Sequence, residues 1–508
     1  MKITTDIKIS SGLLLIPAYI LGVVFNYFWG EYWGVSYPIM ITLIMATYLI
    51  LGKHKKIEKN WLILIPLFAL SLTFAIFDNQ TLRLINHFLV PALLIASILL
   101  IKYPKLDFHR GLLLELIVDK IYSTFENIVK PYKGISTQDV GVGAGIKKTF
   151  KSLLVALPII IVVIALLSSA DKIFSNSIND FIDNLFDLDA DGSIIRSILM
   201  IITASTIFGG LLYASLNTKR EWTEVEREEL RPWDSFTPKI VLGSLLIIYV
   251  YFCFIQFKYL FGGIENIGEF TYAEYARQGF FELMAVGVIN LTLILSIFRF
   301  TRQKRKTEKI WLKTLSVLTI LSTFIIIASS DTRLRLYEQT YGYTQARIFA
   351  HVMILLLFII FLHLLYKIAI KENSSFKKTL AVSALSLYTI LNFINVDGFI
   401  AEKNIERYEE TGKIDLAYLK RLSVDAVPEV IKLELNDDRY KNSLGSYINH
   451  QYDKVINLDE SQWYSYNYFR KQAYENLKDK TEYADKLIKT PIQPVHPTET
   501  TKRYSEPY

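Results

Sequence analysis

Three segments of the sequence concentrate polar and charged side chains that could bind a ligand or take part in catalysis. They cover residues 269–282, 331–351 and 392–397, and each lies at the edge of a long apolar run. An arginine can hold a phosphate, a carboxylate or a lipid head group through paired hydrogen bonds, and a glutamate can act as a base or bind a cation. The candidate residues are Glu274, Tyr275, Arg277, Glu282, Asp331, Arg333, Arg335, Glu338, Tyr341, Arg347, His351, Asn392, Asn395 and Asp397.

Helical spacing places several of these candidates on shared faces. Glu274 and Arg277 are three positions apart, and Asp331, Arg335 and Glu338 follow one stripe. In one interpretation the residues line a pocket for an anionic small molecule or a lipid head group. In the other they pair with one another and cap helices, while the tyrosines join an interfacial aromatic belt. Because ionisable groups cost far less at the ends of a membrane span than at its centre, the second interpretation is favoured.

Residues 187–192 match the first half of a calcium-binding EF-hand loop. The carboxylates of Asp187, Asp189 and Asp191 would surround the ion. The twelfth position, where such a loop needs a bidentate glutamate, is Ile198, and Arg196 adds positive charge nearby. A solvated acidic loop is therefore favoured over a calcium site. No motif predicts another metal or a cofactor, and the sequence leaves open whether the protein is an enzyme.

Long apolar runs dominate the sequence and must position these residues. Runs of about 17 to 25 apolar residues are typical of helices that cross a bilayer, whereas a membrane barrel would show shorter alternating segments. The sequence therefore predicts an all-α fold, a polytopic transmembrane helical bundle of about eleven spans with a small C-terminal helical extracytoplasmic domain. The predicted spans are 12–29, 35–52, 61–77, 84–102, 152–168, 194–214, 238–262, 278–299, 310–329, 347–370 and 376–396.

Composition and charge distribution support a membrane location. The chain is 52% hydrophobic, with a mean hydropathy of +0.29. Its formal net charge of +7 comes from basic residues in short loops beside apolar runs, which favours a lipid bilayer over nucleic acid as the partner. One set of alternating loops holds 28 Lys and Arg residues and the other set holds 7. This asymmetry predicts a cytoplasmic N-terminus and an extracytoplasmic C-terminus.

The same pattern divides the chain into five parts. Residues 1–102 hold transmembrane helices 1 to 4, and 103–151 form a cytoplasmic amphipathic linker that lies on the membrane or packs on the bundle. Residues 152–396 hold helices 5 to 11, 397–490 form the extracytoplasmic helical domain, and 491–508 form a flexible tail.

Three long motifs carry a resemblance to a known group of proteins. They are YAEYARQGFFELMAVGVINL, RLRLYEQTYGYTQAR and NVDGFIAEKNIERYEETGKIDLAYLKRLSVDAVPEV. Together they resemble an uncharacterised family of bacterial polytopic membrane proteins that is classified as a domain of unknown function. The resemblance runs from about residue 150 to 435, with the N-terminal spans outside it. It implies a multi-pass protein of the bacterial plasma membrane and brings no activity or catalytic residue with it.

Three functions fit these observations. The first is an envelope scaffold or sensor whose outer domain binds an envelope protein. The second is a transporter or channel for a small polar or anionic solute, which should show an internal repeat or a broken helix with ligands at mid-membrane depth. The third is an outer-leaflet transferase acting on lipid-linked substrates, which would need an acid beside a substrate hydroxyl in an open cavity.

Overall fold

The fold is that of a computed structural model, which describes the greater part of the chain. The described residues are 11–30, 32–52, 59–103, 112–132, 192–217, 233–259, 280–302, 305–370, 376–433, 438–457 and 462–480, with single positions between 167 and 177. Five of the predicted features lie outside them. These are the candidate residues Glu274, Tyr275 and Arg277, the acidic loop with Asp187, Asp189 and Asp191, nearly all of the span 152–168, residues 133–151 of the predicted linker, and the tail 491–508.

Sixteen α-helices and four short 3₁₀ helices make up the regular structure of the described ranges, which confirms the all-α prediction. The β-type backbone pairing among these residues is an isolated parallel bridge between Trp233 and Thr301. The helices are α1 (Leu15–Phe28), α2 (Ser36–Gly52), α3 (Leu64–Ile76), α4 (Gln80–Lys102), α5 (Leu112–Glu126), α6 (Gly192–Leu216), α7 (Phe236–Tyr259), α8 (Phe280–Phe300), α9 (Lys306–Tyr341), α10 (Gln345–Ala369), α11 (Phe376–Phe393), α12 (Val396–Thr411), α13 (Leu416–Leu419), α14 (Val427–Val430), α15 (Asp438–Asp453) and α16 (Tyr468–Leu477).

Length and apolarity identify the membrane-spanning helices. Seven helical stretches of the described residues are long and apolar enough to cross a bilayer, and α11 with α12 forms an eighth candidate bent by 64°. Two shorter apolar helices, Gly12–Phe28 and Ser36–Gly52, coincide with the first two predicted spans. The protein is therefore a multi-pass membrane protein, and ten of its eleven predicted spans coincide with helices of the described ranges.

Helix α9 is much longer than its predicted span of 310–329. It runs without a break for 36 residues, about 54 Å at 1.5 Å per residue, against a hydrocarbon core about 30 Å thick. One end of α9 therefore projects beyond the membrane. The projecting part carries the candidate residues between Asp331 and Tyr341.

Helices α1 to α6 form the first bundle, which has a continuous apolar core. Helices α1 and α6 approach closely at Gly22, where an added Cβ atom would lie 2.8 Å from the backbone oxygen of Ile201. Small residues at a helix crossing allow such backbone contact in a membrane. Helix α5 also packs on α6, since a Cβ atom at Gly210 would lie 2.6 Å from the backbone oxygen of Thr124. The amphipathic segment thus packs on the bundle in its described part.

Two buried lysines close the C-terminal end of α6. Lys102 Nζ donates to the carbonyl oxygen of Ser215 at 2.6 Å, and Lys120 Nζ donates to that of Ala214 at 2.7 Å. Cations at a helix C-terminus bind its unpaired carbonyls and oppose the negative end of its dipole. Burial lowers the pKa of Lys120 to about 8. We call this side of the molecule the basic end.

Helices α7 to α10 form the second bundle around a separate apolar core. Helix α11 packs on α10 of the second bundle and on α3 of the first. Residues 396–480, which we call the cap, form a helical unit at the end of the molecule opposite the basic end. The apolar core of the cap continues into the bundles through Leu82 of α4, Leu391 of α11 and Phe349 of α10. The cap therefore joins both bundles without a flexible linker.

Candidate functional site

The candidate residues of α9 and α10 meet in a charged cluster at the cap end of the second bundle. His351 Nδ1 lies 2.9 Å from Asp331 Oδ1, and His351 Nε2 lies 2.9 Å from Glu338 Oε2. Asp331 also accepts from Arg335 Nε at 2.7 Å. These four residues, Asp331, Arg335, Glu338 and His351, are the His351 cluster. Its members differ in exposure, since the side chain of Glu338 is 3% exposed and that of Arg335 is 69% exposed.

The geometry of the imidazole indicates its protonation state. Both ring nitrogens of His351 face a carboxylate oxygen. A neutral imidazole has one N–H donor and one acceptor, so one nitrogen would direct its lone pair at a carboxylate. An imidazolium donates from both nitrogens. The contacts therefore favour a charged His351 that clamps α10 to two points of α9.

The turn between α9 and α10 holds further candidate residues. Gly342 has a φ of +85°, and an added Cβ atom would lie 2.4 Å from the side-chain oxygen of Asn404. Arg347 donates to the carbonyl oxygen of Gly342, and its guanidinium carbon lies 4.2 Å from the centre of the Tyr337 ring. Tyr341 is half exposed, with its ring 4.8 Å from that of Tyr337. These contacts fix the turn.

Two other candidate residues lie on the same bundle outside the cluster. Arg333 is buried on α9 with 7% of its surface exposed. Glu282 is exposed in the first turn of α8, where a negative charge interacts favourably with the helix dipole.

A second group of acidic residues lies where the cap meets both bundles. Asp397 at the start of α12 is completely buried. Its Oδ1 accepts from Asn79 Nδ2 at 2.9 Å and from Gln345 Nε2 at 2.6 Å, while its Oδ2 accepts from the Ser423 backbone N–H at 3.0 Å. Asn79 precedes α4 and Gln345 begins α10, so one carboxylate connects the first bundle, the second bundle and the cap.

Asp425 and Asp78 extend this group. The backbone N–H of Asp78 donates to both carboxylate oxygens of Asp425, at 2.8 and 2.9 Å. The carboxylate of Asp78 accepts from the Tyr32 hydroxyl at 2.6 Å. Burial, followed by the charges of Asp78 and Asp397, raises the pKa of Asp425 well above its usual range. We call the set Asp78, Asn79, Gln345, Asp397, Ser423 and Asp425 the Asp397 junction.

The remaining candidates, Asn392 and Asn395, support this junction from α11 and the bend that follows. Asn392 Oδ1 accepts from Asn86 Nδ2 at 2.7 Å, which joins α11 to α4. Asn395 caps α12 by accepting from the Gly398 N–H, and its amide donates to the Asp425 carbonyl oxygen at 3.0 Å. An asparagine at an N-cap satisfies a backbone donor that the helix leaves unpaired. Both residues therefore hold the bend in place.

Three arginines beside the junction bind backbone carbonyls. Arg83 donates to the carbonyl oxygens of Phe74, Phe77 and Trp33. Arg407 of the cap donates to those of Gln339 and Thr340, which end α9. Arg470 donates to the Lys454 carbonyl and lies 3.4 Å from Asp78 Oδ2. Each guanidinium thus fastens two segments of the chain together.

Comparison with known proteins identifies the family. Residues 64–433 match the family model described as Domain of unknown function (DUF4153). The chain belongs to the DUF4153 family. No curated protein and no solved structure matches it. The family match begins at residue 64, so it includes α3 and α4, which the sequence resemblance had left outside.

This extension of the DUF4153 match is consistent with the geometry, because α3 and α4 supply part of the junction. Asp78, Asn79 and Asn86 follow or begin these helices and contact Asp397, Asp425 and Asn392 from there. Sequence reasoning missed them together with Gln345, Asp425, Arg407 and Arg470. The signal that could have found Asn79 is its place as an N-cap directly after an apolar run. Nothing local to residue 78 indicates its partner 347 positions away.

The chemistry of the DUF4153 site is that of fixed contacts. Among the described residues, no group of three or more His, Cys, Asp or Glu side chains is arranged to hold a metal ion. The imidazole, the carboxylates and five arginines bind other parts of the chain, the arginines being Arg83, Arg335, Arg347, Arg407 and Arg470. The two groups of acids therefore act on the relative positions of α4, α9, α10 and the cap.

Proposed function

We propose that this DUF4153 protein is a scaffold or sensor of the bacterial plasma membrane whose cap lies on the extracytoplasmic side. The observation that carries the proposal is the continuous core and the Asp397 junction that join the cap to both bundles. Because the cap is held in this way, it presents a fixed surface to a partner. Binding of the partner to that surface would be transmitted to both bundles. An envelope protein is the class of partner that such a surface suits.

The contacts of the arginines argue against the transferase alternative. A lipid-linked diphosphate substrate would need guanidinium groups free to bind phosphate oxygens. At the cap end, Arg83, Arg407 and Arg470 bind backbone carbonyls of the chain, and Arg335 pairs with Asp331. These groups are thus engaged in holding the fold. The geometry supports a structural role for them.

The proposed orientation rests on the distribution of basic residues. Twenty-eight Lys and Arg residues lie in the loops assigned to the cytoplasm and 7 in the alternate loops, and positive loops are retained in the cytoplasm. A reporter enzyme that is active only outside the plasma membrane, fused after residue 508, is expected to be active. Activity of a cytoplasm-only reporter at the same position would contradict the orientation.

The scaffold proposal is tested by joining the bundles covalently. Thr81 of α4 is exposed and Gln345 of α10 is half-buried, and their side-chain oxygens lie 3.3 Å apart. Replacing Gln345 also removes its amide bond to Asp397, so the linked and unlinked forms of the same double variant are compared. In a Cys253→Ala background, Thr81→Cys with Gln345→Cys can be linked by a short bifunctional thiol reagent. A scaffold should support the phenotype of a complemented deletion strain equally before and after linking. Loss of complementation only after linking would show that relative motion of the bundles is required.

A transporter for a small polar or anionic solute is the second candidate, because polar residues follow the length of α9. Asn290 of α8 accepts from the Tyr249 hydroxyl at 2.7 Å and donates to Thr323 Oγ1 at 3.0 Å. The buried polar positions from Ser316 to Ser330 cover about 21 Å along α9, and Arg333 and Glu338 continue the series into the part that projects beyond the membrane. These buried residues are Ser316, Thr319, Thr323, Ser329, Ser330, Arg333 and Glu338.

Flux measurements separate the two candidates. Proteoliposomes that contain the protein should show uptake of a small anion or polar solute if the line of polar residues conducts it. Asn290→Leu should then abolish uptake. Thr332→Val is the control, because the exposed Thr332 hydroxyl donates only to the Ala328 carbonyl of its own helix, and uptake should be unchanged. Equal solute leakage in protein-containing and empty vesicles would remove the transporter candidate.

A further inference from the structure

Helix α1 and the 3₁₀ turn before it, Ser11–Leu14, present one continuous apolar stripe on their exposed side. Leu13, Ile16, Ile20, Val23 and Tyr27 recur at intervals of three or four residues, and each is between 37% and 64% exposed. The opposite side of α1 packs on α6. In a membrane protein an exposed apolar stripe of this spacing faces the lipid chains. Tyr27 marks the point where the stripe reaches the cap end.

The stripe continues directly onto the cap. Trp463 Nε1 donates to the Tyr27 hydroxyl at 3.4 Å, and the ring of Tyr464 lies 5.2 Å from that of Tyr27. Trp463, Tyr466 and Tyr468 are 58%, 41% and 49% exposed. Three large amphipathic rings therefore remain uncovered beside the end of a lipid-facing helix.

Backbone contacts fix this aromatic turn, residues 463–468, at the level where α1 ends and α2 begins. The Val35 N–H donates to the Tyr466 carbonyl oxygen at 3.0 Å. A Cβ atom at Gly34 would lie 2.2 Å from the same oxygen, so only glycine permits this approach. Asn467 donates to the carbonyl oxygens of Phe74 and Phe77 at the end of α3. The turn cannot move away from the membrane surface without breaking these contacts.

We propose that the aromatic turn inserts into the interfacial layer of the lipid leaflet next to the cap, so that the cap rests on the bilayer. Trp and Tyr favour this layer because the ring contacts acyl chains while the N–H or O–H group stays hydrated. Lys471 is 58% exposed, and its Nζ lies 5.9 Å from the ring centre of Tyr466 and 3.9 Å from Glu475 Oε1. Its positive charge therefore lies beside the aromatic turn, where an inserted turn would meet lipid phosphates. The partner of this surface is the head-group and upper acyl region of the phospholipids.

The experiment uses the single cysteine of the chain, Cys253. In a Cys253→Ala background, a nitroxide is attached at Trp463→Cys, at Ile20→Cys as the lipid-facing reference, and at Glu409→Cys as an exposed cap reference. The full-length protein is reconstituted in vesicles of phosphatidylethanolamine and phosphatidylglycerol. Collisions of the nitroxide with oxygen, which concentrates in the bilayer, are compared with collisions with a water-soluble nickel chelate.

The expected oxygen-to-nickel collision ratio at position 463 is several-fold higher than at 409 and lower than at 20. A ratio at 463 equal to that at 409 would overturn the proposal. Tyr468→Cys provides the same test from the other end of the turn if the label at 463 prevents folding. There too, a value equal to that at 409 would overturn it.

Discussion

The two groups of buried acids stabilise their carboxylates by different means. In the His351 cluster, Asp331 and Glu338 face an imidazole and Asp331 also pairs with an exposed arginine. In the Asp397 junction, the carboxylate of Asp397 is held by two side-chain amides and one backbone N–H. The first arrangement depends on a titratable partner. The second depends on three neutral donors, two of them buried with the carboxylate.

This difference predicts that the junction is the more sensitive to mutation. A charge pair near the surface gains little net free energy because water screens it. Each buried donor left without an acceptor costs roughly 1–3 kcal/mol. The two groups lie at the same end of the same protein, so substitutions in them can be compared directly.

Asp397→Ala should have the largest effect. It leaves the amides of Asn79 and Gln345 and the Ser423 N–H without their acceptor, and we expect a loss of about 3 kcal/mol or more in the free energy of unfolding. The measurement is urea-dependent pulse proteolysis of the cap in nanodiscs. Asp415→Ala, which removes an exposed N-cap, should cost about 1 kcal/mol. Equal losses for the two variants would contradict the comparison.

His351→Ala should have the next largest effect. It leaves the buried carboxylate of Glu338 without its hydrogen-bond donor, and we expect a loss of about 2 kcal/mol. His351→Gln retains a side-chain donor and should recover part of the loss. The readout is the thermal midpoint of the reconstituted protein. If Gln and Ala at this position lower it equally, hydrogen bonding by the imidazole does not contribute to stability.

The pH dependence of cap stability should come in part from Asp425. Its pKa in the folded protein lies above the unfolded value of about 3.9. The folded state therefore holds the proton more tightly than the unfolded state. The stability that protonated Asp425 contributes is fully present below its pKa in the unfolded chain. It is lost as the pH rises through its pKa in the folded protein.

Asp425→Asn is the variant for this measurement. It keeps an oxygen that can accept from the Asp78 N–H and cannot ionise. The fall in unfolding free energy as the pH rises from 4 should be shallower in the variant than in the unsubstituted protein. The difference between the two profiles isolates Asp425 from Lys454, whose pKa is lowered by burial. Identical profiles would show that Asp425 does not titrate differently on folding.

Arg335→Ala should have the smallest effect. Its guanidinium is 69% exposed and bonds Asp331 four positions earlier on the same helix. Such exposed pairs contribute about 0.3–0.5 kcal/mol. The thermal midpoint should shift by less than half of the shift caused by His351→Ala. A larger shift would show that Arg335 holds the His351 cluster together.

The sequence predicts the membrane helices well because a run of about 20 apolar residues has few other stable environments. It does not predict the length of α9, since the residues after Ser330 are polar and nothing in their hydropathy separates a projecting helix from a loop. Asp331, Arg335 and Glu338 fall on one stripe by local periodicity. The bond between Asn79 and Asp397 joins residues 318 positions apart. Periodicity describes one helix at a time and carries no information on such a pair.

The length of α9 also has a mechanical consequence. An unbroken helix about 54 Å long links the two faces of the membrane through one continuous ladder of backbone hydrogen bonds. A tilt of about 5° around its basic end displaces its far end by about 5 Å. Arg407 and the His351 clamp attach that far end to the cap and to α10. Any tilt of α9 would therefore be passed to the cap through Arg407 and to α10 through His351.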